Sequence, residues 1–243
     1  MTRDRTCFPA AGQLGSILLA LVIGCLPGVA RGAALVEYFQ TPGTSLNSMA
    51  DADSLISAGS PSTVVHVDTV NFADTWDALP PAIQRGHFAG EALFPGVLPV
   101  VNDSTGDHFA LRISGWISVP AAGDYTFGAV ADDGLRLTID GTTVLTVGPP
   151  SFENLGSATL SAGLHAFEAT YFASIFADSL EIYSAAGAAS EFSEDFRLLG
   201  DVANGGLAIS VPEPATIVLG IIGGGAMVAV VLRRRQAIGR LTS

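Results

Sequence analysis

Through its middle the chain alternates apolar and polar side chains with a period of two. Leu135, Leu137 and Ile139 interleave with Arg136, Thr138 and Asp140, the pattern of a half-buried strand. Asp140-Gly141 follows, a favoured hairpin pair, and Val144-Leu145 begins the return strand. Phe109 to Ile113 and Tyr125 to Phe127 predict further strands. So do Phe167, Ala169 and Tyr171 around Glu168 and Thr170, and Leu180 and Ile182 around Glu181. Turns such as Ala121-Ala122-Gly123-Asp124 and Ser161-Ala162-Gly163 separate them. No stretch of the middle sustains a helical period. Many short strands between turns predict an all-β fold, a sandwich or a barrel, over residues 34–199. Residues 72–108, broken by Pro80-Pro81, Pro95 and Pro99, read as long loops with at most one short helix. Phe196 to Leu199 reads as a last strand, and residues 200–211, with Gly205-Gly206, as a flexible spacer.

Both ends abandon the alternation for unbroken apolar runs. Arg3 and Arg5 precede Ile17-Leu18-Leu19-Ala20-Leu21-Val22-Ile23, and small residues follow. A basic start, a short apolar stretch and a small-residue exit describe a signal peptide over 1–33, removed by signal peptidase. Val22-Ile23-Gly24-Cys25 also approximates a lipobox, which would place a lipid on Cys25. Cys7 and Cys25 are the only cysteines. A chain without its leader therefore has no disulfide, no thiolate-bound zinc and no cysteine nucleophile. At the other end, Val211-Pro212-Glu213-Pro214 leads into an apolar run over 215–232, then Arg233-Arg234-Arg235. A helix of that length rises about 27 Å, enough to cross a hydrocarbon core. The arginines and the tail 236–243 stay cytoplasmic, and the residues before the helix stay outside. As physics, this is a stop-transfer anchor. The order of Pro-Glu-Pro, apolar helix and basic stop over 212–235 also resembles the PEP-CTERM sorting signal of Gram-negative-type bacteria that make extracellular polymer. That resemblance implies cleavage by the membrane protease exosortase near Pro212, Glu213 and Pro214. The protein would pass from a membrane-anchored intermediate to the cell surface or extracellular matrix.

Charge narrows the partners. The whole chain has a net charge of −12, and its middle holds four arginines (Arg85, Arg112, Arg136, Arg197) and no lysine. All carboxylates except Asp4 and Glu213 lie between Ala34 and Val211. So acidic a body repels phosphate backbones, which excludes nucleic acid as a partner.

Four segments occur in a telling order: Gly115-Trp116-Ile117; Pro120-Ala121-Ala122-Gly123-Asp124-Tyr125-Thr126-Phe127; Asp132-Asp133-Gly134 through Asp140-Gly141; and Leu160-Ser161-Ala162-Gly163-Leu164-His165. Together they resemble the PA-fourteen (PA14) domain, named for the anthrax protective antigen and shared by yeast flocculins, adhesins and some glycosidases. The resemblance spans Leu35 to Leu199 and is strongest over 115–182. It implies an antiparallel β-sandwich with a carbohydrate-binding role. In sugar-binding members the matching aspartate pair is joined by a cis peptide and holds calcium, which coordinates sugar hydroxyls. Carried to this chain, that makes Asp132 and Asp133 calcium ligands and part of the carbohydrate site.

Read from the residues alone, Asp132-Asp133-Gly134 admits two roles. Neighbouring side chains on a strand point to opposite faces, so the two carboxylates reach one cation only where the backbone turns sharply. Gly134 permits such a turn. Alternatively, the aspartates cap backbone amides in a turn between strands. Further calcium ligands would come from later loops, with Asn154 and Asp178 as candidates, and Phe152 or Phe176 could stack on a sugar. Asp51-Ala52-Asp53 and the stretch Asn102 to Asp107 read as solvated acidic loops and weak calcium candidates. Arg136 reads as solvated, and His165 as a structural hydrogen-bonding residue. His66, His87, His108 and His165 show no zinc spacing. No nucleophile elbow, phosphate loop or dinucleotide fingerprint is present. The sequence thus predicts a non-enzymatic, exported module that binds extracellular polysaccharide through calcium. A matrix or surface protein without a ligand is the main alternative, and a glycosidase the weaker one.

Overall fold

The structure, a computed structural model, describes residues 33–40, 45–74, 86–96, 108–148, 153–174 and 178–211. The leader, Asn102 to Asp107, and the C-terminal segment with Pro212, Glu213, Pro214, the apolar run 215–232 and Arg233 to Arg235 lie outside them. Among the described residues no helix is long and apolar enough to cross a membrane.

The chain order is β1 (Ala34–Phe39), α1 (Met49–Ala58), β2 (Thr63–Val67), β3 (Asn71–Ala73), β4 (Ala92–Leu93), β5 (Phe109–Val119), β6 (Gly123–Asp132), β7 (Gly134–Ile139), β8 (Thr142–Val147), β9 (Glu153–Leu160), β10 (Gly163–Ala173), β11 (Ser179–Ala186), β12 (Arg197–Leu198) and β13 (Ala208–Ser210). Two sheets result. The first runs β2-β1-β5-β10-β7-β8, with β13 also on β5. The second runs β4-β3-β11-β6-β9, with β12 also on β11. Every pairing is antiparallel except β3 with β4. Leu111, Ile113 and Ile117 of the first sheet pack against Phe127, Ala129, Leu180 and Ile182 of the second in one core. This is the antiparallel β-sandwich that the family resemblance implies, one of the two all-β folds that the period-two pattern leaves open. The predicted hairpin closes at Asp140 and Gly141, with φ of 50° and 77°, the left-handed pair that a two-residue turn demands.

Three elements depart from the sequence expectations. Asp51-Ala52-Asp53, expected as a loop, lies in α1. Ser48 caps that helix, its hydroxyl accepting from the Asp51 amide at 3.3 Å while Asp51 accepts from the Asn47 amide at 3.0 Å. Met49, Ala52, Leu55 and Ile56 then pack on Ala110 and Phe172, on the outer side of the first sheet. Arg136 is not merely solvated: its guanidinium donates to both Asp53 carboxylate oxygens at 2.9 and 2.7 Å, tying β7 to α1. Residues 200–211 are not a free spacer. Val202–Asn204 forms a 3-10 turn, and β13 pairs with β5 and buries Ile209 to 1% exposure.

Residues 86–96 form a strap across the second sheet. Glu181, buried on β11, accepts from the His87 and Phe88 amides at 2.5 and 3.1 Å. Phe94 enters the main core and stacks on Tyr171 with ring centroids 5.5 Å apart.

Candidate functional site

The two aspartates sit where the chain changes sheets. β6 belongs to the second sheet and ends at Asp132, β7 belongs to the first and begins at Gly134, and Asp133 is the residue of crossing. The peptide bond between Asp132 and Asp133 is cis. Both polar groups of that peptide unit are tied to β10. Its carbonyl, Asp132 O, accepts from the Tyr171 hydroxyl at 2.5 Å, and its amide, Asp133 N, donates to Phe172 O at 3.3 Å. Gly134 is required next: a Cβ there would come within 2.4 Å of the Phe172 ring.

Two other chain segments bring carboxylates to the same end of the second sheet. Ser179, the first residue of β11, lies opposite Asp132 on one side and Ala73 on the other. Asp178 and Asp74 follow outward from that pairing, and the Asp74 amide donates to Asp178 O at 3.1 Å. Asp178 is buried. Tyr171 is the hub beneath them. Burial first, then the charges of Asp178, Asp132, Asp133 and Asp74, push its hydroxyl well above the usual phenol range, so it stays a neutral donor. Burial likewise pushes the Asp133 carboxyl up, against opposing pulls from the Ser174 amide and the nearby His108. Oδ2 of Asp133 is enclosed without a hydrogen-bond partner in the structure. Leaving such an acceptor unsatisfied costs about 1–3 kcal/mol, so the atom calls for a ligand or water.

Clustered carboxylates and an enclosed, unbonded oxygen suit a hard cation such as calcium and not a soft metal. Among the described residues no group of three or more His, Cys, Asp or Glu forms a metal cage by itself. Calcium here would therefore take few carboxylates and complete its shell with carbonyl oxygens and water, as calcium readily does.

Of the residues expected from sequence, Asp132, Asp133 and Asp178 are brought to one end of the sandwich. Asn154 is not. It lies on β9 opposite Ala129, about 10 Å along β6 from Asp132 at the usual rise per residue. Its amide group donates to Thr146 O at 2.7 Å and accepts from the Leu155 amide at 2.9 Å. Phe152 and Phe176 lie outside the described residues. Asp74 and Tyr171 were not anticipated at the site. Asp74 falls in a stretch with no strong pattern, and Tyr171 reads only as a core position of β10. His165 has the structural role expected of it. Nδ1 pairs with Asp140 Oδ2 at 2.6 Å and Nε2 with Ser161 O at 2.9 Å, closing the β7–β8 turn onto β10.

Comparison with known families places two models on the chain. A PA14 domain matches residues 101–173, and the PEP-CTERM protein-sorting motif matches residues 210–235. Among solved structures, the chain is similar to the PA14 domain of the antifreeze protein MpAFP, with a TM-score of 0.53 and 18% identity over 76% of this chain and 93% of that one. It is also similar to the PA14 sugar-binding domain from an RTX adhesin, with a TM-score of 0.52 and 18% identity over 74% of this chain and 99% of that one. At such identities these structures establish the fold alone. No curated protein matches the chain.

Proposed function

From a chain that carries a PA14 domain ahead of a PEP-CTERM sorting motif, we propose an exported surface or matrix protein whose sandwich binds extracellular polysaccharide through calcium. The observation that supports this most is the enclosed, unbonded Asp133 Oδ2 beside Asp132, at a sheet crossing where Asp178 and Asp74 also arrive. Calcium in that position would exchange water for vicinal sugar hydroxyls. This chain's residues would do the rest: Asp132 and Asp133 hold the cation, and Asp178 lies within the same electrostatic neighbourhood. The description of the RTX adhesin domain as sugar-binding points the same way. The sorting motif, by its own logic, delivers the module through exosortase to the outside of a Gram-negative-type cell. A single cation-mediated sugar contact is weak, so retention in a matrix comes from many copies on one polymer.

The test is a glycan array probed with the purified protein in calcium and again in EDTA. Binding to bacterial polysaccharides that EDTA abolishes is expected. Binding unchanged by EDTA would remove calcium from the reading. No binding to any glycan would favour a purely structural matrix role.

A further inference from the structure

We infer that Tyr171 is a positioning residue for the aspartate pair, fixing through its hydroxyl the orientation from which Asp132 and Asp133 present their carboxylates to calcium. The inference rests on the calcium reading above and deepens it.

Tyr171 is 0% exposed, and its ring packs among Phe94 and Phe109, at centroid distances of 5.5 and 5.9 Å. Phenylalanine would serve such a cluster equally well, as it does at Phe94 and Phe109. The hydroxyl is a burden there unless it finds an acceptor, because a buried phenol oxygen without a hydrogen bond costs free energy. The acceptor it has is the carbonyl of the one peptide unit that joins the two candidate ligands. The amide of that same unit is held by Phe172 O, the next residue of β10. One strand of the first sheet thus grips both ends of the unit, one grip by side chain and one by backbone. With both in place the unit has no freedom to turn about the chain axis. Without the hydroxyl, a single 3.3 Å bond from this peptide unit remains to β10, and the Asp132 carbonyl loses the donor that fixes its direction. Groups that orient a ligand from behind it are worth about 10–100-fold in metal affinity. The ring is itself steadied by Phe94, carried in by the strap that Glu181 holds at His87 and Phe88.

The experiment compares full-length wild type, Tyr171→Phe and Tyr125→Phe. The last deletes a hydroxyl bonded to Ala121 O, remote from the site. Each is titrated with calcium chloride by calorimetry and melted in EDTA and in calcium. Tyr171→Phe is expected to bind calcium about tenfold or more weakly and to lose most of its calcium-induced rise in Tm, while Tyr125→Phe binds as wild type. A merely structural hydroxyl would lower Tm equally in both buffers and leave the affinity unchanged, which would overturn the inference. Should Tyr171→Phe not fold, Phe94→Leu keeps the hydroxyl but loosens the ring. It must then weaken calcium binding several-fold, and unchanged affinity would overturn the inference. Wild type that binds no calcium would sink the calcium reading and this inference with it. Wild type that binds, with Tyr171→Phe binding equally well, would sink this inference alone.

Discussion

Asp133 has a carboxylate whose charged form burial disfavours, with one oxygen enclosed and unbonded. A bound cation would relieve both conditions at once. Saturating calcium should therefore stabilise the protein: at a concentration of about 100 times Kd, linkage gives about 2.7 kcal/mol, or a Tm rise of about 5–10 °C for a domain of this size. Asp133→Ala should erase that rise. In EDTA the same variant should melt within a few degrees of wild type, because the carboxylate it removes is not a stabilising one when unliganded. A second residue pair sets a pH dependence. Asp140 lifts the His165 pKa above its ordinary 6.5, and His165 draws that of Asp140 below its ordinary 3.8. The raised histidine contributes stability that is fully present below pH 6.5 and disappears as pH climbs through the folded-state value. The lowered carboxyl contributes stability that is present above pH 3.8 and disappears as pH falls through its folded-state value. The Tm difference between wild type and His165→Gln should thus be greatest near pH 5 and shrink at alkaline pH. Since the Asp140 side chain is 52% exposed, solvent keeps the charge contribution to no more than about 1 kcal/mol.

At the scale of elements, strands announced themselves and their partners did not. The alternation at Leu135, Leu137 and Ile139 locates β7, and Asp140-Gly141 locates its turn, because both signals are local. α1 had a signal as well: Ser48 three residues before Asp51, then Met49, Ala52, Leu55 and Ile56 on one face. It spans only ten residues, too few for a helical period to stand out. β13 had almost none, since Ala208-Ile209-Ser210 beside Gly205-Gly206 looks like linker until β5 is there to receive it. The candidate site divides in the same way. Asp132 and Asp133 are legible as a motif and Asp178 as a candidate from its place just before β11, whereas Asp74 and Tyr171 join them only through pairings between strands distant in sequence. The assignment of 200–211 to the sandwich has a direct consequence. Ile209→Ala should cost about 2–5 kcal/mol, the range for truncating a buried isoleucine, and lower the urea midpoint accordingly. A change within about 0.5 kcal/mol, the level of a surface substitution, would return the segment to the status of spacer.

For the whole molecule, charge and sorting act together. A chain of net charge −12, with all but two of its carboxylates between Ala34 and Val211, resists non-specific capture by anionic surfaces and polymers. Under the proposed function, specific retention would then depend on a cation held at Asp132 and Asp133 and on copy number. β13 ends at Ser210, the first residue of the sorting motif, so the sandwich runs into the motif without a long linker. In a host with exosortase, replacing Pro212, Glu213 and Pro214 with alanine should leave the chain in the membrane fraction while the wild type reaches the surface. Equal release of both would show that the motif is not used.

The most direct measurement is anomalous diffraction from crystals grown in calcium. A calcium peak about 2.3–2.6 Å from carboxylate oxygens of both Asp132 and Asp133 is the expected result. Clear density for the two side chains, splayed apart and bonded only to backbone amides with no peak between them, would contradict it.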